Sequence, residues 1–416
     1  MVAEADFIQT IIGVGILLFA AKLMAELFLR LKLPIVLGEL MAGIIIGPFA
    51  LGAYIIGTDG LPLLHINNEI RVLGEIGAIV ILFIAGLEMT PKEFLRGGKA
   101  SFTVATLGVV VPFFAGLVVF QMFGFDALQS MLIATALTAT SIAISIQVLS
   151  EFGKLKTPEA RLIIGAAVVD DILAIAILSV VTSIAGSDGG VANIDIMQVT
   201  ITILQVLGFF AIMLVAAVVV MPRIITPRLW KAKGSVEGIA TASFFGAAAL
   251  AGSIGLSPIV GAFAVGMALS TTKVFEKVEG YVRQIGLIFA PLFFAIIGAQ
   301  VDLRAVNLEI LVLSGVIIAI AIVTKLGGCG LPAMYFLKSK AQGMRVGIGM
   351  ISRGEVGLIV AGVGISTGVL TSNVYSTIVI MVAATTIITP IWLKMEYKKE
   401  QKRDTESSEE KSSNNR

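Results

Sequence analysis

The chain has 416 residues, of which 57% are hydrophobic and 14% charged, with a net charge of +2. Soluble domains carry roughly a quarter charged residues, so this composition excludes that class and points to an integral membrane protein. A single cysteine, Cys329, excludes an intramolecular disulfide framework.

The apolar residues fall in blocks of about 20, each long enough to cross a hydrocarbon core of ~30 Å as a helix, and no alternating strand-like runs suggest a barrel. In chain order, thirteen spans are predicted: Phe7 to Leu29, Leu33 to Ala53, Ile70 to Met89, Ala100 to Phe123, Ala127 to Ser150, Glu159 to Ala185, Asn193 to Met221, Ser235 to Ile254, Ser257 to Thr271, Tyr281 to Ala299, Leu308 to Phe336, Gly343 to Thr367 and Asn373 to Met395. Met1 to Asp6 lacks the basic region and small-residue cleavage site of a signal peptide, so the first block is expected to stay as a true span.

Cytoplasmic loops collect Lys and Arg. With this division, all but five of the 30 basic residues lie on one side, in alternate loops and the C-terminal tail. Arg71 and Arg304 lie on the other side, and Lys22, Lys325 and Arg353 fall within spans. The N-terminus is therefore expected outside and the C-terminus in the cytoplasm. Residues 1–396 read as the transmembrane domain. The charged, Ser-rich residues 397–416 read as a disordered cytoplasmic tail, because they cannot bury enough apolar surface to offset ordering.

An internal echo links the second span (Pro34, Ile35, Val36, Leu37, Gly38, on to Gly43) with the ninth (Pro258, Ile259, Val260, Gly261, on to Gly266). It continues from the third span (Ile76, Gly77, Leu82, Phe83, Gly86, Glu88) to the tenth (Ile285, Gly286, Phe293, Phe294, Gly298, Asp302). The copies are seven spans apart, an odd number, so the second enters the membrane from the opposite side. Inverted repeats of this kind place a transport site near the midplane, where helices are interrupted.

Asp170 and Asp171 lie about twelve residues into the sixth span, roughly 18 Å deep. Lys325 and Glu355, counted from the same side, reach a similar depth. Each ionisable group at a helix centre costs about 2.5–3.5 kcal/mol to insert, so several at one level imply a shared use. Consecutive residues on a helix point ~100° apart, so one aspartate can hold an ion while the other holds a partner. Thr135, Thr138, Thr140, Ser141 and Ser145 in the fifth span, and Gly347, Gly349, Gly354, Gly357, Gly362 and Gly364 in the twelfth, mark both as breakable. Unwound backbone at membrane depth can offer carbonyl ligands to a cation. Arg353 and Glu355 read as mutually neutralising, structural charges. Glu39, Glu75 and His65 read as structural or solvated, and Cys329 as a packing residue.

With Asp170–Asp171, Thr138–Ala139–Thr140–Ser141, Lys325 and Ser352–Arg353–Gly354–Glu355–Val356–Gly357 in view, the chain resembles the cation/proton antiporter-2 family, NapA-type Na⁺/H⁺ antiporters. Pro34 to Leu40, Gly47–Pro48 and Ala85–Gly86–Leu87–Glu88 also look like that family. The resemblance implies an all-α membrane protein with two inverted six-helix repeats, the NhaA/NapA-like fold. It implies a core domain of spans 4–6 and 11–13, a dimer domain of spans 1–3 and 8–10, and span 7 as linker.

It further implies a homodimer in the cell membrane that exchanges Na⁺ or Li⁺ for protons. Asp171 resembles the ion and proton carrier, Asp170 the partner of Lys325, and Thr138, Thr140 and Ser141 additional Na⁺ ligands, with Arg353 and Glu355 supporting. No cofactor and no nucleic-acid partner are expected. A dehydrated carboxylate holds a proton or a cation but not both, which suffices for exchange. A K⁺/H⁺ antiporter of the same family, and a cation channel or Na⁺-coupled symporter, are the alternatives. An enzyme is not expected: there is one histidine, no His-Glu-x-x-His motif and no phosphate loop.

Overall fold

The structure, a computed structural model, describes residues 2–31, 33–54, 66–185, 196–226, 229–254, 257–301 and 308–413. Lys32, His65, Arg228, Asp302, Arg304 and Arg416 lie outside the described residues, as does the side chain of Glu355. The described residues contain helices and no strands.

The helices are α1 (Val2–Arg30), α2 (Ile35–Ile46), α3 (Asn68–Leu87), α4 (Pro91–Met122), α5 (Ala127–Thr138), α6 (Ile142–Glu151), α7 (Pro158–Ala185), α8 (Ile196–Ile224), α9 (Ser235–Ser253), α10 (Pro258–Leu269), α11 (Phe275–Ala299), α12 (Leu308–Lys325), α13 (Leu331–Leu337), α14 (Lys340–Gly349), α15 (Glu355–Ser366) and α16 (Ser372–Ser413). The expected all-helical membrane architecture is present. Among the described residues, nine helical stretches are long and apolar enough to cross a membrane, and Gly208–Ile224, Pro258–Leu269 and Val356–Ile365 are shorter apolar helices.

Several helix starts are written locally. Asn67 accepts the Ile70 N–H, Asp126 accepts the Gln129 N–H, and Thr90 forms a reciprocal capping box with Glu93 around Pro91. Each satisfies backbone donors that a helix leaves orphaned. The outward faces are apolar: Phe19 (72% exposed), Phe114, Leu204, Ile212 and Leu331 point away from the packed interior. Such faces are costly in water and matched in hydrocarbon.

The helices pack most closely within two groups. One holds α1, α2, α3, α9, α10 and α11; the other holds α4, α5, α7 and α12 to α16, with α6 touching both and α8 lying against α7 and α10. The glycines of the echo sit at the tightest contacts of the first group. A Cβ on Gly43 (α2) would lie 1.9 Å from the Ala295 carbonyl oxygen of α11, and one on Gly298 (α11) 2.1 Å from the Leu40 oxygen of α2. Reciprocally, Gly86 (α3) approaches Phe263 and Gly266 (α10), and Gly266 approaches Phe83 and Gly86. Gly38 against α1 matches Gly261 against α9 in the same way. Small residues let membrane helices approach until their backbones touch, which is the packing available where lipid removes the hydrophobic drive between helices.

The C-terminal end differs from the expected loose tail, because α16 continues without a break to Ser413. Tyr397 is fully buried and stacks on Phe152. Glu400 pairs with Lys154 at 3.3 Å and with Arg345 at 2.9 Å. Composition alone treated this charge as solvated, whereas its partners come from distant parts of the chain.

Candidate ion-binding site

Both stretches that read as breakable are broken. α5 stops at Thr138 and α6 resumes at Ile142, while α14 stops at Gly349 and α15 resumes at Glu355. The two gaps bond to each other. The Ser141 N–H donates to the Ser352 carbonyl at 2.8 Å, the Ser352 hydroxyl donates to the Ser141 carbonyl at 2.6 Å, and the Ser145 hydroxyl donates to the Gly349 carbonyl at 2.5 Å. Backbone freed by unwinding is thereby satisfied inside the protein, as membrane depth requires. Gly354 is required at this crossing, since a Cβ there would lie 2.5 Å from the Ser141 Cβ.

Four half-helix ends converge here, two positive N-termini and two negative C-termini. α7 brings Asp170 against them. The Asp170 Oδ2 accepts the Thr140 N–H at 2.9 Å, and its Oδ1 accepts from Lys325 Nζ at 2.9 Å, both side chains being fully buried. Asp171 is also buried and follows on α7, ~100° further round the helix. The structure joins Asp170 to Lys325.

Lys325 ends α12, and a π-helical turn, Leu326–Gly330, follows it. Such turns are inserted residues that re-aim side chains and cluster at functional sites. The turn lies hard on α4: Cys329 Sγ contacts the Val104 carbonyl at 3.6 Å, and a Cβ on Gly108 would meet both Cys329 Sγ and Lys325 Nζ. Cys329 is buried, in agreement with a packing role.

Of the hydroxyls expected as ligands, Thr138 donates to the Thr135 carbonyl at 2.7 Å, while Thr140 Oγ1 and Ser141 Oγ are buried with no hydrogen-bond partner among the described residues. Buried polar atoms of this kind call for a water or an ion. Arg353 is fully buried and donates to the carbonyls of Met350 and Ile351 at 3.1 and 2.7 Å. Its own backbone is held by Thr385 and Thr386 of α16, so it braces the α14 to α15 break. Glu355 begins α15 at the other end of that break.

A second polar cluster was not anticipated from the sequence. Arg345 (α14) pairs with Glu159 at the start of α7, at 2.8 Å, and lies over the Tyr397 ring. Glu151, at the end of α6, accepts the Ile35 and Val36 N–H groups and so caps α2 across the two helix groups. The only signal for either was acidic residues at predicted span ends, where solvation is the commoner outcome.

The sequence profile described as sodium/hydrogen exchanger, transmembrane, matches residues 15–398. The high-affinity Na⁺/H⁺ antiporter NhaS3 of Synechocystis sp. is 33% identical over 92% of this chain and 89% of its own. The Na⁺/H⁺-K⁺ antiporter GerN of Bacillus cereus is 35% identical over 92% and 94%, respectively. The sodium proton antiporter MjNhaP1 of Methanocaldococcus jannaschii shares the fold, with a TM-score of 0.67 and 20% identity over 93% of this chain and 96% of that one. That family comprises transporters rather than enzymes, and the ions its members exchange are substrates, with no cofactor among them. A profile match over most of the chain, with relatives above 30% identity along nearly full length, places this chain in the sodium/hydrogen exchanger family.

Proposed function

We propose that this chain exchanges Na⁺ or Li⁺ for protons across the cell membrane by alternating access, with Asp171 as the carrier. The observation that carries this reading is the buried Asp170–Lys325 pair set against the crossed half-helices, beside two buried hydroxyls, Thr140 and Ser141, that have no hydrogen-bond partner among the described residues. Asp171 takes either a proton or the cation. Thr138, Thr140 and Ser141 supply neutral oxygens, and Arg353 and Glu355 support the break. When Na⁺ arrives, Asp170 turns toward it and Lys325 releases a proton, which makes exchange electrogenic.

The same reading divides the chain into thirteen spans in two inverted repeats. The reciprocal glycine contacts, Gly43 with Gly298 and Gly266 with Gly86, support it. Spans 4–6 and 11–13 form the moving core, spans 1–3 and 8–10 the dimer domain of a homodimer, and span 7 the linker. The N-terminus is outside and the C-terminus cytoplasmic, following the basic loops.

The test is reconstitution in liposomes with imposed Na⁺, Li⁺ or K⁺ gradients, recording internal pH. Na⁺ and Li⁺ drive proton movement, and Asp171→Asn abolishes it; full activity in that variant refutes the carrier assignment. Lys325→Gln removes the voltage-sensitive current, and an unchanged current refutes the role of the lysine. A K⁺/H⁺ reading is kept because the relative GerN is named for K⁺ as well as Na⁺. A response to K⁺ equal to that for Na⁺ would favour it.

A further inference from the structure

Glu39 lies in the first turn and a half of α2, about 6 Å along the axis from Ile35, on the side that carries the basic loops. It is 2% exposed, and its Oε2 has no hydrogen-bond partner among the described residues. A carboxylate taken from water without a partner is disfavoured unless something neutralises it. It lines a cavity of about 300 Å³ whose walls come from the first helix group and from α6. Its lining includes Lys22 (α1), Glu39, Arg283 (α11) and, from α6, Gln147 and Ser150.

Of the charges near this cavity, Arg283 and Glu151 already have partners. Arg283 is held by Glu88 and by Glu279, the latter at 2.8 Å. Glu151 is committed to the two N–H groups at the start of α2. Lys22 is exposed at the rim. Glu39, with one carboxylate oxygen that has no hydrogen-bond partner among the described residues, thus lines a space that admits an ion, whose walls also carry two neutral side chains that can offer oxygens, Gln147 and Ser150. Gln147 is six residues from Ser141, so the cavity reaches α6 within about 9 Å of the crossing.

We propose that Glu39 is an entry station: its carboxylate, with Gln147 and Ser150, receives the monovalent cation from the basic-loop side before it passes to Asp171. This rests on the antiport reading above. Because α6 begins at the crossing that forms the ion site, while Glu39 belongs to the group outside it, the station is complete only when the site faces this side. Its effect is therefore one-sided.

The experiment compares everted and right-side-out membrane vesicles, measuring the dependence of exchange on Na⁺ presented to each face. Glu39→Gln raises the apparent KM about three- to tenfold at the basic-loop face, as expected for the loss of one nearby charge, with the external KM unmoved and the rate at saturating Na⁺ retained. Gln147→Glu adds a carboxylate across the cavity and lowers the KM at that same face. It decides the matter alone if Glu39→Gln does not accumulate. Unchanged KM values in the variants, or equal shifts at both faces, overturn the proposal. Asp171→Asn is run in parallel: exchange surviving there defeats the assignment of Asp171 as carrier, whereas its loss together with a parental Glu39→Gln profile defeats only the entry station.

Discussion

Replacing Lys325 by Gln removes the cation from a pair that is 2.9 Å apart and 0% exposed on both sides. Among the described residues, Asp170 then keeps one hydrogen-bond donor, the Thr140 N–H, for a buried charge. Two unit charges ~4 Å apart attract by about 4 kcal/mol at an effective dielectric of ~20. Breaking a buried pair from one side costs about 3–5 kcal/mol, because the remaining charge is stranded. Lys325→Gln and Asp170→Asn are each expected to destabilise by that order.

The double variant strands nothing. The amide that replaces the Asp170 carboxylate can still accept the Thr140 N–H, so the cost of the double variant falls well below the sum, with a coupling of about 2–3 kcal/mol. The assay is thermal unfolding of the purified protein in detergent and in nanodiscs, read for parent, both single variants and the double. Additive losses, with no coupling, would refute the reasoning that these two side chains are held by each other.

Three further outcomes follow from the packing. Arg345→Ala leaves the buried Glu159 carboxylate without its guanidinium and is expected to cost about 3–5 kcal/mol in thermal unfolding, with Glu159→Gln restoring part of it. Gly43→Val places a side chain where a Cβ alone meets the Ala295 oxygen at 1.9 Å, so α2 and α11 must separate, with an expected loss of about 1–3 kcal/mol or more and lower accumulation in membranes. Ser352→Ala removes the 2.6 Å bond to the Ser141 carbonyl and is expected to cost about 1–3 kcal/mol, measured by unfolding, with a slower exchange rate in liposomes because the crossing loses a brace.

The sequence itself carried the helical membrane class, the positions of the apolar segments and the two breaks, since each depends on a local property: hydropathy over a window, or residues that tolerate unwinding. The meeting of Asp170 and Lys325 was legible for a related reason. Both could be counted inward from basic loops on one side, so their depth was known before their contact. Depth alone did not say which of two adjacent aspartates would face the lysine, because it says nothing about azimuth around a helix; that choice came from the family resemblance.

Only the tertiary structure decided that the echoing glycines are points of close helix contact, that a π turn follows Lys325, and that Arg353 directs its guanidinium to the backbone carbonyls of Met350 and Ile351. It also decided that Tyr397 and Glu400 belong to the packed protein, where composition had released them as tail. Glu39, read from its sequence position as structural, became notable through a neighbourhood assembled from four other helices. Hydropathy and charge place a residue along the membrane normal. Its partners are set by which helix faces touch, and those contacts join segments more than a hundred residues apart.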